Sequence, residues 1–167
     1  TDGVSGDEQD ILDLIARETE PYADELFYDN SGNLCVFKKG KKRAPNKIMY
    51  AAHMDEVGFY INSVSDDGLL YFDTIGILTS VILGKYVLVG KDKIRGVIGS
   101  KPIHLLKDDD RSSYPELNTL YIDIGAKNKD EAIRHLGSYA VFDSEFANIG
   151  SCITGKAFDD RVGCMLL

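Results

Sequence analysis

Apolar and polar positions along this chain follow three different rhythms. Ser5-Gly6-Asp7-Glu8 has the spacing of a helix capping box, with Ser5 at the N-cap and Glu8 three residues on. Ile11, Leu12, Ile15 and Ala16 then recur at helical intervals, which predicts an amphipathic helix that stops or restarts near Pro21. Leu26-Phe27-Tyr28 and Leu34-Cys35-Val36-Phe37 flank a turn at Asp29-Asn30-Ser31-Gly32-Asn33 and read as a hairpin. Lys38 to Arg43 is a short basic run that reads as a solvated loop. Lys47 to Ala52 carries a continuous apolar run, the pattern of a strand covered on both faces in an α/β sheet.

From about Tyr60 to about Val141 the rhythm changes to short β-branched runs punctuated by glycine. Tyr86-Val87-Leu88-Val89, Ile94-Arg95-Gly96-Val97-Ile98 and Leu120-Tyr121-Ile122-Asp123-Ile124 predict strands, and only Lys129 to Leu136 reads as helical there. Many short strands with turn signals point to a compact β-barrel-like module. Ala147 to Cys152 and Gly155 to Phe158 then lead into a last segment, Val162 to Leu167. The simplest organisation is an α/β domain begun by residues 1–59, interrupted by a β module over 60–141, and resumed by 142–167. There is no internal repeat and no low-complexity tract.

Composition narrows the function classes. A hydrophobic content of 44% supports a packed core. A net charge of -8 argues against a nucleic-acid surface, which needs a basic patch. Cys35, Cys152 and Cys164 lack CxxC spacing and read as small buried residues of a reducing compartment. No apolar stretch approaches the roughly 20 residues needed to span a bilayer, and no signal sequence opens the chain. These features predict a cytoplasmic protein with no membrane partner. Thr1 is not an initiator methionine, which reads as a trimmed N-terminus.

Two motifs carry candidate chemistry. In Ala52-His53-Met54-Asp55-Glu56-Val57-Gly58-Phe59, His53 directly follows the predicted buried strand, and ligands gather at the carboxyl ends of strands in α/β sheets. Asp55 is placed to accept the other imidazole N–H, a contact that fixes the tautomer of a metal-bound histidine. The same residues also fit a strand-end histidine beside a solvated acidic turn. Far downstream, Gly155-Lys156-Ala157-Phe158-Asp159-Asp160-Arg161-Val162-Gly163-Cys164 presents two adjacent carboxylates. A buried carboxylate needs a metal, an arginine or water, and Arg161 is a nearby structural partner. The pair also fits a helix N-terminus, with Asp159 as N-cap and Asp160 in the first turn. That role is compatible with ligation, because each oxygen of a carboxylate can do one job.

Together these motifs resemble the M42 metalloaminopeptidases, a family that includes glutamyl and deblocking aminopeptidases and tetrahedral self-compartmentalising peptidases. The resemblance runs the length of the chain. It covers Val4 to Glu8, Asp29 to Leu34, Ala52 to Gly58, and Gly96-Val97-Ile98-Gly99-Ser100-Lys101-Pro102 followed by His104-Leu105-Leu106. It continues through Leu120 to Ala126 and Phe142 to Glu145, and ends with Gly155 to Gly163. It implies an α/β peptidase domain, partial here, that holds two divalent metal ions, zinc or cobalt. It also implies an inserted β-barrel, likened to a PDZ domain, that makes dimer and higher homo-oligomer contacts up to dodecamers. His53 matches the first histidine ligand, Asp159 the aspartate bridging both metals, and Asp55 the catalytic aspartate that orients the histidine. Asp160 matches a position where the family's peptide bond is unusual. The family's general-base glutamate and its remaining ligands are expected beyond Leu167. His104 and His135 do not match ligands; His104 reads as structural or interfacial, and His135 as an exposed surface residue.

The resemblance therefore implies an aminopeptidase that releases N-terminal residues from peptide substrates by metal-activated water, with the general base absent from these residues. Two other readings stay open: a non-catalytic assembly or peptide-binding unit, and a relative acting on a glycan, since some family members carry a cellulase label.

Overall fold

Strict alternation of apolar residues lets one face of a strand be buried while the other stays wet. Residues 56 to 156 use that alternation to close a sheet on itself. The computed structural model describes residues 1–42, 45–101 and 115–167. Within them the chain divides into two compact units, Glu56–Lys156 and a two-segment unit of Thr1–Asp55 with Ala157–Leu167. The sequence pattern had placed the inserted module at 60–141.

The Glu56–Lys156 unit contains six antiparallel strands: β3 (Gly58–Val64), β4 (Leu70–Ile75), β5 (Tyr86–Val89), β6 (Ile94–Ser100), β7 (Leu120–Asp123) and β8 (Tyr139–Phe142). They form a closed barrel in the order β3-β4-β7-β6-β5-β8. β8 closes it by pairing with both β3 and β5, so no edge among the six is left unpaired. Leu70 and Phe72, Val87 and Val89, and Leu120 and Ile122 alternate into a common core. In β3 the register shifts between Ile61 and Ser63. This bulge changes the spacing of inward positions, so Phe59, Ile61 and Val64 all face inward. Phe59 meets Phe72 and Phe142 edge to face, at ring centroid distances of 5.1 and 5.2 Å.

The predicted helix over 129–136 forms as α2 (Lys129–Ala132) and then tightens into a 3-10 turn, Ile133–His135. Asn128 caps it by accepting the Glu131 N–H at 3.1 Å. His135 corrects the sequence expectation: it is buried, not a surface residue. The tighter turn rolls its ring inward, and its Nε2 accepts from Arg134 Nε at 3.2 Å. Burial, reinforced by the Arg134 charge, pushes its pKa below the ordinary value of 6.5. After β8, the hairpin of β9 (Ala147–Ile149) and β10 (Cys152–Thr154) turns through Gly150 and returns the chain to Lys156. Lys156 Nζ lies 2.9 Å from the buried Glu56 carboxylate, pairing the first and last residues of the unit.

In the two-segment unit, helix α1 spans Gln9–Thr19 with Ile11 and Leu12 buried, and Pro21 opens a short 3-10 turn, Glu20–Tyr22. The expected hairpin is present as β1 (Glu25–Tyr28) and β2 (Leu34–Phe37), in register from Glu25↔Phe37 to Tyr28↔Leu34. Asp29 organises its turn by accepting from the backbone of Ser31 and Asn33 at 2.9 and 2.8 Å.

Three expectations are corrected here. Ser5 does not cap α1: the N-cap is Glu8, whose Oε1 turns back to the Gly6 N–H at 2.6 Å. Lys47 to Ala52 is not a strand; Ile48, Met49 and Tyr50 are exposed, and among the described residues no strand pairs with them. A continuous apolar run encodes a need for cover on both faces, and the described residues supply none. The free cysteines are not buried either: Cys35 and Cys164 are half-buried and Cys152 is exposed at the start of a two-stranded hairpin. His104 lies outside the described residues, as do Arg43, Pro102, Leu105 and Leu106. No helix of the described residues is long and apolar enough to cross a membrane.

Candidate metal centre

The last helix, α3 (Phe158–Leu166), begins irregularly, and this irregularity divides the work of the two aspartates. Ala157 takes a left-handed conformation, and Asp159 and Asp160 have non-helical backbone angles. Their shared peptide bond is cis. Asp160 Oδ1 accepts the Gly163 N–H at 3.1 Å, the contact of an N-cap to the third helical residue. Gly163 makes room for it: a Cβ there would sit 2.5 Å from that oxygen. The sequence alternative put Asp159 at the cap. The structure assigns that job to Asp160, and the Asp159 side chain is 97% exposed.

Across the unit, His53 stands between two carboxylates. Its Nδ1 is 3.0 Å from Asp55 Oδ1 and its Nε2 is 3.1 Å from Asp159 Oδ1. The two positions predicted as ligands, 106 residues apart in sequence, are therefore in contact. The predicted orienting residue touches the other ring nitrogen. Asp55 is itself held, since its Oδ2 accepts from the Ser5 hydroxyl. Arg161 ties the surrounding segments together, its Nε donating to the Met54 carbonyl at 2.8 Å and its Nη1 to the Thr1 carbonyl at 2.7 Å. The Cys164 thiol donates to the His53 carbonyl at 3.4 Å. Glu56, the other acid of the His53 turn, is committed to Lys156.

The charges follow from this geometry. The bond to Asp159 raises the His53 pKa above the ordinary 6.5; partial burial opposes this and the Asp55 charge reinforces it. A proton on Nε2 thus does what a cation would do between imidazole and carboxylate, and a metal would have to displace it. Asp55 is pushed below the usual carboxylate range, first by the Ser5 hydroxyl and then, against partial burial, by His53. Burial, and after it the Asp160 charge, raise the Cys164 thiol.

The donor pair fits a divalent ion. Donors on a tetrahedral ion with bonds of ~2.0–2.2 Å lie about 3.3–3.6 Å apart, so the hydrogen-bonded pair, at 3.1 Å, would open slightly to admit one. Among the described residues no group of three histidine, cysteine or acidic side chains completes a site. One participant escaped the sequence reading: Ser5 was absorbed by the capping-box pattern. Arg161 was read as a structural partner, and nothing in its local sequence announces which distant carbonyls it reaches.

Comparison with known proteins places this chain in a family. The profile described as M42 glutamyl aminopeptidase matches residues 32–167. The solved structure of aminopeptidase APDkam598 from Desulfurococcus kamchatkensis is 41% identical, with a TM-score of 0.88 over 99% of this chain and 47% of that one. A TET aminopeptidase from Thaumarchaeota archaeon SCGC AB-539-E09 is 38% identical, with a TM-score of 0.88 over 98% and 48%. The Pyrococcus horikoshii TET1 peptidase, described as assembling into a tetrahedron or a large octahedral shell, is 34% identical with a TM-score of 0.79 over 98% and 50%. A Thermotoga maritima protein named as an endoglucanase is 36% identical with a TM-score of 0.82 over 98% and 49%. The curated lysyl aminopeptidase of Pyrococcus furiosus is 31% identical over 169 residues, 96% of this chain and 48% of the relative. The chain spans about half the length of the curated relatives it matches. On the profile match and these identities, the chain belongs to the M42 peptidase family.

Proposed function

We propose that this chain carries one arm of the metal centre of an aminopeptidase, with His53 and Asp159 as ligands and Asp55 as the residue that orients His53. The observation that carries the reading is the contact of His53 Nε2 with Asp159 Oδ1 at 3.1 Å while Asp55 holds Nδ1. Two divalent ions, zinc or cobalt, would supply such a site with an acidified water and with Lewis acidity for the scissile carbonyl. With its proton on Nδ1, His53 would donate to Asp55 and keep the Nε2 lone pair for ligation. Asp159, exposed and relieved of capping by Asp160, would hold metal with a carboxylate whose Oδ1 already faces His53. The general base is assigned to no residue of this chain.

The barrel unit is proposed as an inserted, PDZ-like module through which copies of the protein associate. Leu78, Val81 and Tyr86 are exposed on it, and the P. horikoshii relative assembles into shells. N-terminal residue preference is left open, since relatives are named both lysyl and glutamyl aminopeptidases.

The test is metal content by mass spectrometry on the full-length protein, with hydrolysis of leucyl and glutamyl anilides before and after chelation. The expected result is two metals per chain and chelator-sensitive release, both abolished in Asp159→Ala. Full turnover with both metals retained in that variant would overturn the ligand assignment. The endoglucanase-named relative favours one second reading, activity on a glycan, and a glucan assayed alongside the anilides separates it.

A further inference from the structure

We propose that Ser5 is a positioning residue of the metal centre, acting through Asp55 to fix the tautomer of His53; the inference rests on the ligand reading above. A neutral imidazole carries one proton, and here each ring nitrogen faces a carboxylate at nearly the same distance, 3.0 Å to Asp55 and 3.1 Å to Asp159. Geometry at His53 alone therefore leaves the choice of nitrogen almost balanced. Ligation through Nε2 demands that the proton stay on Nδ1.

What breaks the balance is how firmly each carboxylate is aimed. The Asp159 side chain is 97% exposed, and His53 is the partner its carboxylate meets. The Asp55 carboxylate, 34% exposed, has its outer oxygen occupied by the Ser5 hydroxyl, which leaves Oδ1 facing Nδ1. Ser5 can do this because its own backbone is anchored on both sides. Val4 before it is buried and accepts the Asp7 N–H at 2.7 Å, and Gly6 after it donates to Glu8. The strap leading to it is fixed as well. Arg161 holds the Thr1 carbonyl, and Gly3 packs so closely that a Cβ would lie 2.5 Å from Ile11 and 3.1 Å from Arg161. A serine in a capping box needs none of this, and Ser5 does not cap the helix. Threonine would keep the hydroxyl, whereas alanine would free the Asp55 carboxylate to rotate.

The experiment is imidazole 15N spectroscopy of the metal-free full-length protein at a pH where His53 is neutral, comparing the parent with Ser5→Ala and Ser5→Thr, followed by zinc titration of each. The expected result is a dominant Nδ1–H tautomer in the parent and in Ser5→Thr, and a mixture in Ser5→Ala. Zinc affinity in Ser5→Ala should be several-fold weaker, less than the roughly 10–100-fold effect of losing a direct partner of a metal-bound histidine. An unchanged tautomer in a folded Ser5→Ala overturns the proposal. So does a mixture in Ser5→Thr equal to that of Ser5→Ala, because the hydroxyl would then be irrelevant. The tautomer readout needs no metal, so it judges Ser5 even if zinc titration of the parent rejects His53 and Asp159 as ligands.

Discussion

The barrel unit and the two-segment unit answer the same demand, cover for apolar side chains, in opposite ways. In the barrel, Phe59 and Ile61 are fully buried by strands that all lie within Glu56–Lys156. In the two-segment unit, Ile48, Met49 and Tyr50 are 77%, 89% and 72% exposed. An alternating strand carries its own instruction for which face goes inside, and its neighbours come from adjacent hairpins. A continuous apolar run says only that something must cover it. Self-closure is thus what separates a module that can be understood from its own residues from a unit whose pattern points elsewhere.

The contrast is sharpest in a pair of truncations. Phe59→Ala should lower the stability of the barrel by about 3–5 kcal/mol, as large-to-small changes at aromatic core positions do. Ile48→Ala in the same chain should change stability by no more than about 0.5 kcal/mol, the range of surface substitutions. Urea unfolding followed by hydrogen exchange of barrel amides measures both. Equal effects at the two positions would break the comparison.

A smaller effect tests whether the barrel's two ends are also internally secured. Lys156→Ala leaves the Glu56 carboxylate buried without its lysine. The expected loss is about 3 kcal/mol, the low end for a broken buried pair because Lys156 reaches solvent. Thermal melting reads it, and Glu56→Gln combined with Lys156→Met should recover most of the loss.

The smallest effect is a pH dependence confined to the barrel. His135 is lowered when folded, so the unfolded chain binds its proton more tightly. Stability is then fully present above the unfolded value of 6.5 and declines as pH falls through it toward the lowered folded value. Melting temperatures measured from about pH 8 down to about pH 5 should show this slope, and His135→Gln should flatten it.

The same contrast explains what could be read in the sequence. The hairpin around Asp29, the strands at 86–89, 94–100 and 120–123, and α1 all follow from local rhythm and turn residues. The pairing of His53 with Asp159 was legible only because each sits in a recognisable motif. Neither motif states that the other is 3.1 Å away. Ser5 was misread because one short pattern, serine followed by glutamate three residues on, fits two structures. Only the distant Asp55 decides between them. His135 was misread because a polar helical stretch hides the tightening turn that rolls one ring inward. Lys47 to Ala52 failed for the reason already given: its pattern describes a partner rather than itself.

The pairing of β3 with β8, at Phe59↔Ala140 and Tyr60↔Tyr139, has a consequence for polymer entropy. Bringing His53 to Asp159 through a disordered segment of the same length would carry a closure penalty that grows with the logarithm of that length. A folded barrel whose entry and exit strands are neighbours fixes its own end-to-end distance. The chain that remains to be closed is then the short stretch from His53 to Gly58 on one side and, on the other, the stretch from Phe142 to Asp159, itself folded in part as the β9–β10 hairpin. Insertions inside the barrel, however long, should leave the distance between its entry and exit strands unchanged.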